Sequence, residues 1–248
     1  MTPPDLSPCP EPAGALRRAA VAAALDVTVV TEGEVTTVAA VSPPPVPSRR
    51  PLSVYPRRPG GRDLLVSGWS RGIELVKGET SDPGEVVRAA VAWGEGRSLG
   101  DLHALFPFLS SDERAQAHEN GPDAVVALQW RRLREEAADT PGFSEFGLLV
   151  EAARADPVLG RLSVFSSHWV LGVSAATSPR AAVEVVLVPG RDGRPYRVRE
   201  YLHPDPETGE ERLIGEAGTA GEAVALAVAH LPAGIGPAVA GPGEPPGR

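Results

Sequence analysis

The sequence predicts an α+β fold, a mainly antiparallel sheet with two related β-hairpin-plus-helix units flanking a helical segment. Three observations lead there. First, β-branched runs and tight turns occupy residues 27–77 and 162–215, while residues 98–155 change to a helical period. Strands and helices that segregate along a chain point to α+β rather than alternating α/β. Second, Asp192-Gly193 between strand-like runs is a strong hairpin turn. Third, the chain echoes itself. Residues 78–92 read GETSDPGEVVRAAVA and residues 215–229 read GEAGTAGEAVALAVA. They align without a gap, Gly78 on Gly215, Gly84 on Gly221, Glu85 on Glu222. Both copies read as helix starts. Asp82 and Thr219 stand at the N-cap, with Glu85 and Glu222 three residues on, as a capping box requires. Pro83 holds the first helical position, where its missing N–H costs nothing.

The elements follow in order. Pro3, Pro4, Pro8, Pro10 and Pro12 mark residues 1–14 as a disordered tail. Residues 15–25 form an Ala-rich helix. Val27 to Val30 and Val35 to Val41 form a hairpin around Glu32-Gly33-Glu34. Residues 42–51, SPPPVPSRRP, read as a polyproline-like linker. Short strands follow at Leu52 to Tyr55, Leu64 to Trp69 and Ile73 to Lys77. The first echo helix covers 83–93. The helical segment 98–155 holds an amphipathic helix from Leu99, a helix capped by Ser110 and Glu113, a long helix opened by Pro122, and a fourth from Ser144 to Ala155. Leu162 to Val173 returns to strand alternation. Val183 to Val188, apolar but for Glu184, has the pattern of a central strand buried on both faces. Strands at Tyr196 to Tyr201 and Arg212 to Gly215 precede the second echo helix, 220–231. One domain over 15–232 is expected, with its related units at 52–96 and 183–232 and a flexible tail at 233–248.

Composition bounds the function. A chain of 248 residues buries roughly 70–75% of its unfolded surface. Aromatic residues make up only 5%, so Val, Leu and Ala carry the core. The net charge of −8 argues against coating nucleic acid or an anionic membrane. Cys9 is the single cysteine, so neither an internal disulfide nor a thiolate cluster is expected. Lys77 is the only lysine, and with Ala, Gly and Pro abundant this matches GC-rich codon usage. Arg17-Arg18 before an apolar run resembles an export signal, but Asp26 interrupts the run, and the expected compartment is the cytoplasm. No run reaches the ~20 apolar residues of a membrane span.

Chemistry is sparse. Gly68-Trp69-Ser70-Arg71-Gly72 matches the nucleophile-elbow pattern, but an elbow needs a helix after the serine. Ile73-Glu74-Leu75-Val76 reads as a strand, so a hairpin corner is the better account. His168, in Phe165-Ser166-Ser167-His168-Trp169, is the leading candidate for proton transfer. Ser166 shares its strand face and could hydrogen-bond it. His103, His118 and His203 lack ligand spacing, and no metal or cofactor is expected. Arg49, Arg50, Arg57, Arg58, Arg62 and Arg71 face one acid, Asp63, and suit an acidic peptide or phosphorylated ligand. No aromatic ladder accompanies them, which argues against single-stranded nucleic acid. Trp130 and Leu133 point into the core of the long helix, leaving Arg131 on its solvated face. Trp69 and Trp169 serve either as core or as ligand contacts.

GWSRGIELVKGET, LHALFPFLSSDERAQAHENGPDAVVALQWRRLRE, FSSHW and the closing IGEAGTAGEAVALAVAHLPAGIGPAVAG resemble an actinobacterial family, domain of unknown function 6193, over roughly residues 60–240. Its members are described as natural product biosynthesis proteins, often in clusters for peptide products. The resemblance implies a secondary-metabolite setting and no particular reaction. The family words map to Gly68 to Gly72, His118, Gln129-Trp130-Arg131 and Ser167-His168-Trp169. Two readings follow. The first is a non-catalytic accessory protein that presents a precursor peptide or a pathway enzyme, with Trp69, Arg71, Trp169, Arg57, Arg58 and Arg131 as contacts. The second is a cofactor-free cyclase, isomerase, lyase or hydrolase, with His168 as general acid or base and Ser70 assisting.

Overall fold

The computed structural model describes residues 12–33, 35–40, 48–58, 61–178, 181–204 and 211–241. By packing, the chain divides into two compact units, Met1–Glu119 and Asn120–Arg248. The first contains α1 (Pro12–Ala22), β1 (Val27–Glu32), β2 (Val35–Ala40), β3 (Leu52–Pro56), β4 (Leu64–Ser70), β5 (Ile73–Thr80), α2 (Pro83–Gly94), α3 (Leu99–Leu105), β6 (Leu109–Ser110) and α4 (Glu113–Asn120), whose last residue crosses the division. Its six strands form one sheet in sequence order, each antiparallel to the next. The period of two makes this work. Along β4, Leu64, Val66, Gly68 and Ser70 turn inward while Leu65 and Trp69 stay exposed. The inward face meets Leu16 of α1 and Val86, Val87, Ala90 and Trp93 of α2.

The second unit contains α5 (Pro122–Ala138), α6 (Ser144–Ala155), a 3₁₀ turn at Leu159–Arg161, β7 (Ser163–Ser167), β8 (Val170–Ser174), β9 (Val185–Val188), β10 (Tyr196–Pro204), β11 (Glu211–Ala217) and α7 (Ala220–His230). Its five strands again form an antiparallel meander in sequence order. β9 is the middle strand. Val185, Val186 and Leu187 are buried on both of its faces, as their unbroken apolar run predicts. Trp130, Leu133, Phe146, Leu149 and Val150 of α5 and α6 pack with Leu171, Leu187 and Val198 of the sheet and with Ala223 and Ala227 of α7.

The α+β class holds, and the sheet is two sheets. In both units five consecutive meander strands follow a helical stretch and lead into a helix, and the echo falls at the same place in both: the fifth of these strands and the helix after it. The two helix starts differ in detail. Thr219 and Glu222 form the full capping box. Asp82 caps α2 by accepting from Gly84 N at 2.7 Å, but Glu85 instead accepts from the Thr80 hydroxyl at 2.6 Å.

Other expectations shift. α1 begins at Pro12 rather than residue 15, since proline suits the first helical turn. α4 is capped by Asp112, whose Oδ1 accepts from Ala115 N at 2.7 Å, while Ser110 belongs to β6. The helical segment 98–155 is shared, α3 and α4 in one unit and α5 and α6 in the other. The strand character from Leu162 to Val173 resolves into a hairpin, β7 and β8. Beyond Pro232, Val239 bonds to Ala175 and Thr177, and Ala238 is buried. Residues 1–11 with Cys9, most of the polyproline stretch, residues 205–210 and residues 242–248 lie outside the described residues. No helix among the described residues is long and apolar enough to cross a membrane.

Candidate functional site

The candidate site is the tip of the β7–β8 hairpin. Ser167 pairs with Val170, so the loop is only two residues, His168 and Trp169. Two-residue hairpins favour turns with positive φ at both loop positions, which normally calls for Asn-Gly or Gly-Gly. Here His168 has φ 50° and Trp169 has φ 66°. Holding a bulky L-residue in the left-handed region costs about 1–3 kcal/mol, and such strain persists only where the surroundings enforce it. Trp169 supplies that enforcement. Its half-buried ring meets Phe146 edge-on at 5.5 Å and Phe143 edge-on at 6.1 Å. Such pairs contribute about 0.5–1.5 kcal/mol each beyond their buried area.

The turn therefore splits its two side chains. Trp169 goes down into the aromatic set, and His168 stays exposed with the Ser167 hydroxyl 3.2 Å from its Nδ1. Ser166 is not the partner expected of it. Its hydroxyl donates to Glu136 of α5 at 2.7 Å. The β9–β10 turn lies at the same end of the meander. It is built by Asp192 (φ 52°) and Gly193 (φ 78°), the turn its sequence predicts. Arg191, which opens it, places its guanidinium 5.5 Å from the centre of the Phe143 ring, a cation–π contact. Tyr196, 6% exposed, donates to the Glu145 carbonyl at 3.4 Å, and burial followed by Glu145 pushes its hydroxyl up from the ordinary tyrosine value.

The other expected residues fall elsewhere. Ser70 is in the first unit. It ends β4, pairs with Ile73 across a two-residue turn, and donates to Ser48 Oγ at 3.0 Å. A strand follows it, so the elbow geometry is absent. Trp69 is exposed and donates from its indole to Ser67 Oγ at 3.1 Å, and Arg71 forms the turn with φ 51°. Arg57 and Arg58 sit at the opposite end of β4, where Arg57 pairs with Glu79. The arginine-rich stretch thus does not make one patch. Arg49 serves the fold. It is 9% exposed, stacks 4.2 Å over Trp93, and donates to the Trp93 and Arg97 carbonyls and to Glu119. Arg131 is exposed on α5 and pairs with Glu135 at 3.8 Å. Among the described residues, no group of three or more His, Cys, Asp or Glu gathers as a metal site.

Phe143, Phe146 and Arg191 were missed in the sequence. Phe143 and Phe146 carried a helix-start spacing, and Arg191 carried only its place before Asp192-Gly193. Their convergence depends on the meander order, which no local signal encodes.

His118, on α4, is half-buried. Burial first, then Arg114, push its pKa down to about 4, against a smaller pull from Asp112. The folded chain therefore takes up this proton later than the unfolded chain, whose reference lies near 6.5. Stability is unaffected above about pH 6.5 and is lost as pH falls through that window toward 4. With partial exposure allowed for, the loss is about 1–2 kcal/mol. Urea midpoints compared at pH 7 and pH 4.5 should show a smaller drop for His118→Gln than for the wild type. Equal drops would place the acid sensitivity elsewhere.

No curated protein and no solved structure matches the chain. A family model does match, over residues 124–242. That stretch takes in the β7–β8 turn and excludes Gly68 to Gly72 and His118. Over its second unit the chain is thus similar to a family of unknown function, DUF6193.

Proposed function

We propose that the protein is a non-catalytic binding protein of a secondary-metabolite pathway, and that the β7–β8 tip is where it meets a precursor peptide or a pathway enzyme. One observation carries the reading. A histidine and a tryptophan are held in left-handed backbone at a hairpin tip, with Phe143 and Arg191 beside them. Trp and Arg dominate binding hot spots because they combine large apolar area with a polar handle. The pathway setting rests on the family resemblance.

A second reading keeps the enzyme. It is favoured by the contact between Ser167 Oγ and His168 Nδ1 at 3.2 Å, which aligns a hydroxyl with a base. Complementation of a producing strain that lacks the gene separates the two. On the binding reading, Trp169→Ala lowers product about tenfold or more, since truncating an aromatic anchor costs about 2 kcal/mol of affinity. His168→Ala then keeps most of the product. If His168→Ala instead abolishes product and an unprocessed intermediate accumulates, with circular dichroism unchanged, the binding reading fails and the intermediate names the reaction.

A further inference from the structure

The second unit holds another concavity, beside the start of β7 and away from its turn. It has a volume of ≈ 330 Å³ and is lined by Asp123 and Val126 of α5, Trp130, Arg154 at the end of α6, Arg161 and Pro237. Trp130 is 1% exposed, and its indole N–H is the only buried side-chain N or O atom among the described residues with no hydrogen-bond partner. A buried donor left unmatched costs about 1–3 kcal/mol, so natural cores rarely keep one without a reason.

The charged side chains around it are exposed. Neither the Arg154 guanidinium nor the Asp123 carboxylate has an ion-pair partner among the described residues. Arg161 spends only its Nε, on the Pro157 carbonyl at 3.0 Å. Arg154 is held close. A Cβ on Gly160 would lie 2.6 Å from the Arg154 carbonyl oxygen and 3.1 Å from its Nη1, so only glycine lets the 3₁₀ turn pass there. Two arginines, one aspartate and apolar walls from Val126, Pro237 and the Trp130 ring form a mixed set. It matches a ligand that is zwitterionic at one end and apolar at the other. The volume lies at the small end of ligand pockets, roughly 300–1,000 Å³.

We propose that this cavity binds an apolar α-amino acid or a dipeptide of such residues. Arg154 and Arg161 take the carboxylate, and the Trp130 ring forms part of the wall. Asp123 takes the ammonium group, and the side chain rests on Val126 and Pro237. This site is separate from the β7–β8 tip, and the two can fail independently.

The test is a titration of the full-length, ¹⁵N-labelled protein with L-leucine and L-leucyl-L-leucine, read at the indole N–H resonances. Trp130→Phe identifies the Trp130 signal, and the remaining indole signals report an intact fold. Saturable movement of the Trp130 signal by either probe is expected. L-Leucinamide, which lacks the carboxylate, and N-acetyl-L-leucine, which lacks the ammonium, should bind at least about tenfold more weakly, as should both probes with Arg154→Ala. Trp169→Ala should leave the titration unchanged. A Trp130 signal unmoved at millimolar probe, leucinamide binding as well as leucine, or Arg154→Ala binding as the wild type would each overturn the proposal.

Discussion

Phe146→Ala should destabilise the second unit by about 4 kcal/mol, the middle of the range for losing a buried phenylalanine. Phe146 is 0% exposed, and its ring lies 6.4 Å from Phe143 and 5.5 Å from Trp169. Truncation removes its own burial and opens a cavity under Trp169. The strained turn then loses one of the two rings that enforce it. The expected result is thus double: a lower urea midpoint, and a Trp169 indole signal that sharpens toward a mobile one at neutral pH without denaturant. Phe146→Leu, which keeps most of the volume, should cost about 1–1.5 kcal/mol. If Phe146→Ala costs less than about 1 kcal/mol, the core of this unit is not centred on α6.

Gly78→Ala should cost about 3 kcal/mol, while Gly215→Ala costs a few tenths. The two glycines are equivalent in the echo, and packing separates them. A Cβ on Gly78 would lie 2.1 Å from the Phe108 carbonyl oxygen, a backbone atom that cannot swing aside. Gly78 pairs with Leu109, so the added methyl pushes β6 off the sheet edge and exposes Leu109, now 1% exposed. A Cβ on Gly215 would meet only the tip of Leu226, at 3.3 Å, and a side chain can give by that much. Thermal unfolding of both variants decides the matter. Equal losses would mean the echo positions bear the same load.

The sequence was legible where a single residue type forces a local geometry. Asp192-Gly193 announced its turn because both positions need positive φ. Pro122 announced α5, and Thr219 with Glu222 announced α7. The candidate turn was illegible for the opposite reason. His168 and Trp169 disfavour the conformation they adopt, and only the rings of Phe143 and Phe146 hold them there. The local period therefore shows strand alternation through Leu162 to Val173 and no turn within it. β6 was unreadable because Leu109–Ser110 is too short to show a period. The division near Glu119–Asn120 left no mark, since α4 and α5 are separated only by Gly121. The cavity was invisible because Asp123, Arg154 and Pro237 are distant in sequence and each is ordinary alone.

The sequence-order meander has a kinetic consequence. In both sheets every strand hydrogen-bonds to its neighbour along the chain. Apart from β6, no strand waits for a distant partner, so the loop-closure entropy spent before each of these pairings is small, and low contact order speeds folding. Translation runs at about 5–20 residues per second, which is slow beside hairpin formation. β1 to β5 can therefore zip in the order they leave the ribosome, with α2 following directly to cover the sheet. The last strand of that sheet, β6, arrives only after α3. Until then the β5 edge is unpaired, and that interval is when a nascent chain of this protein is most open to pairing with another.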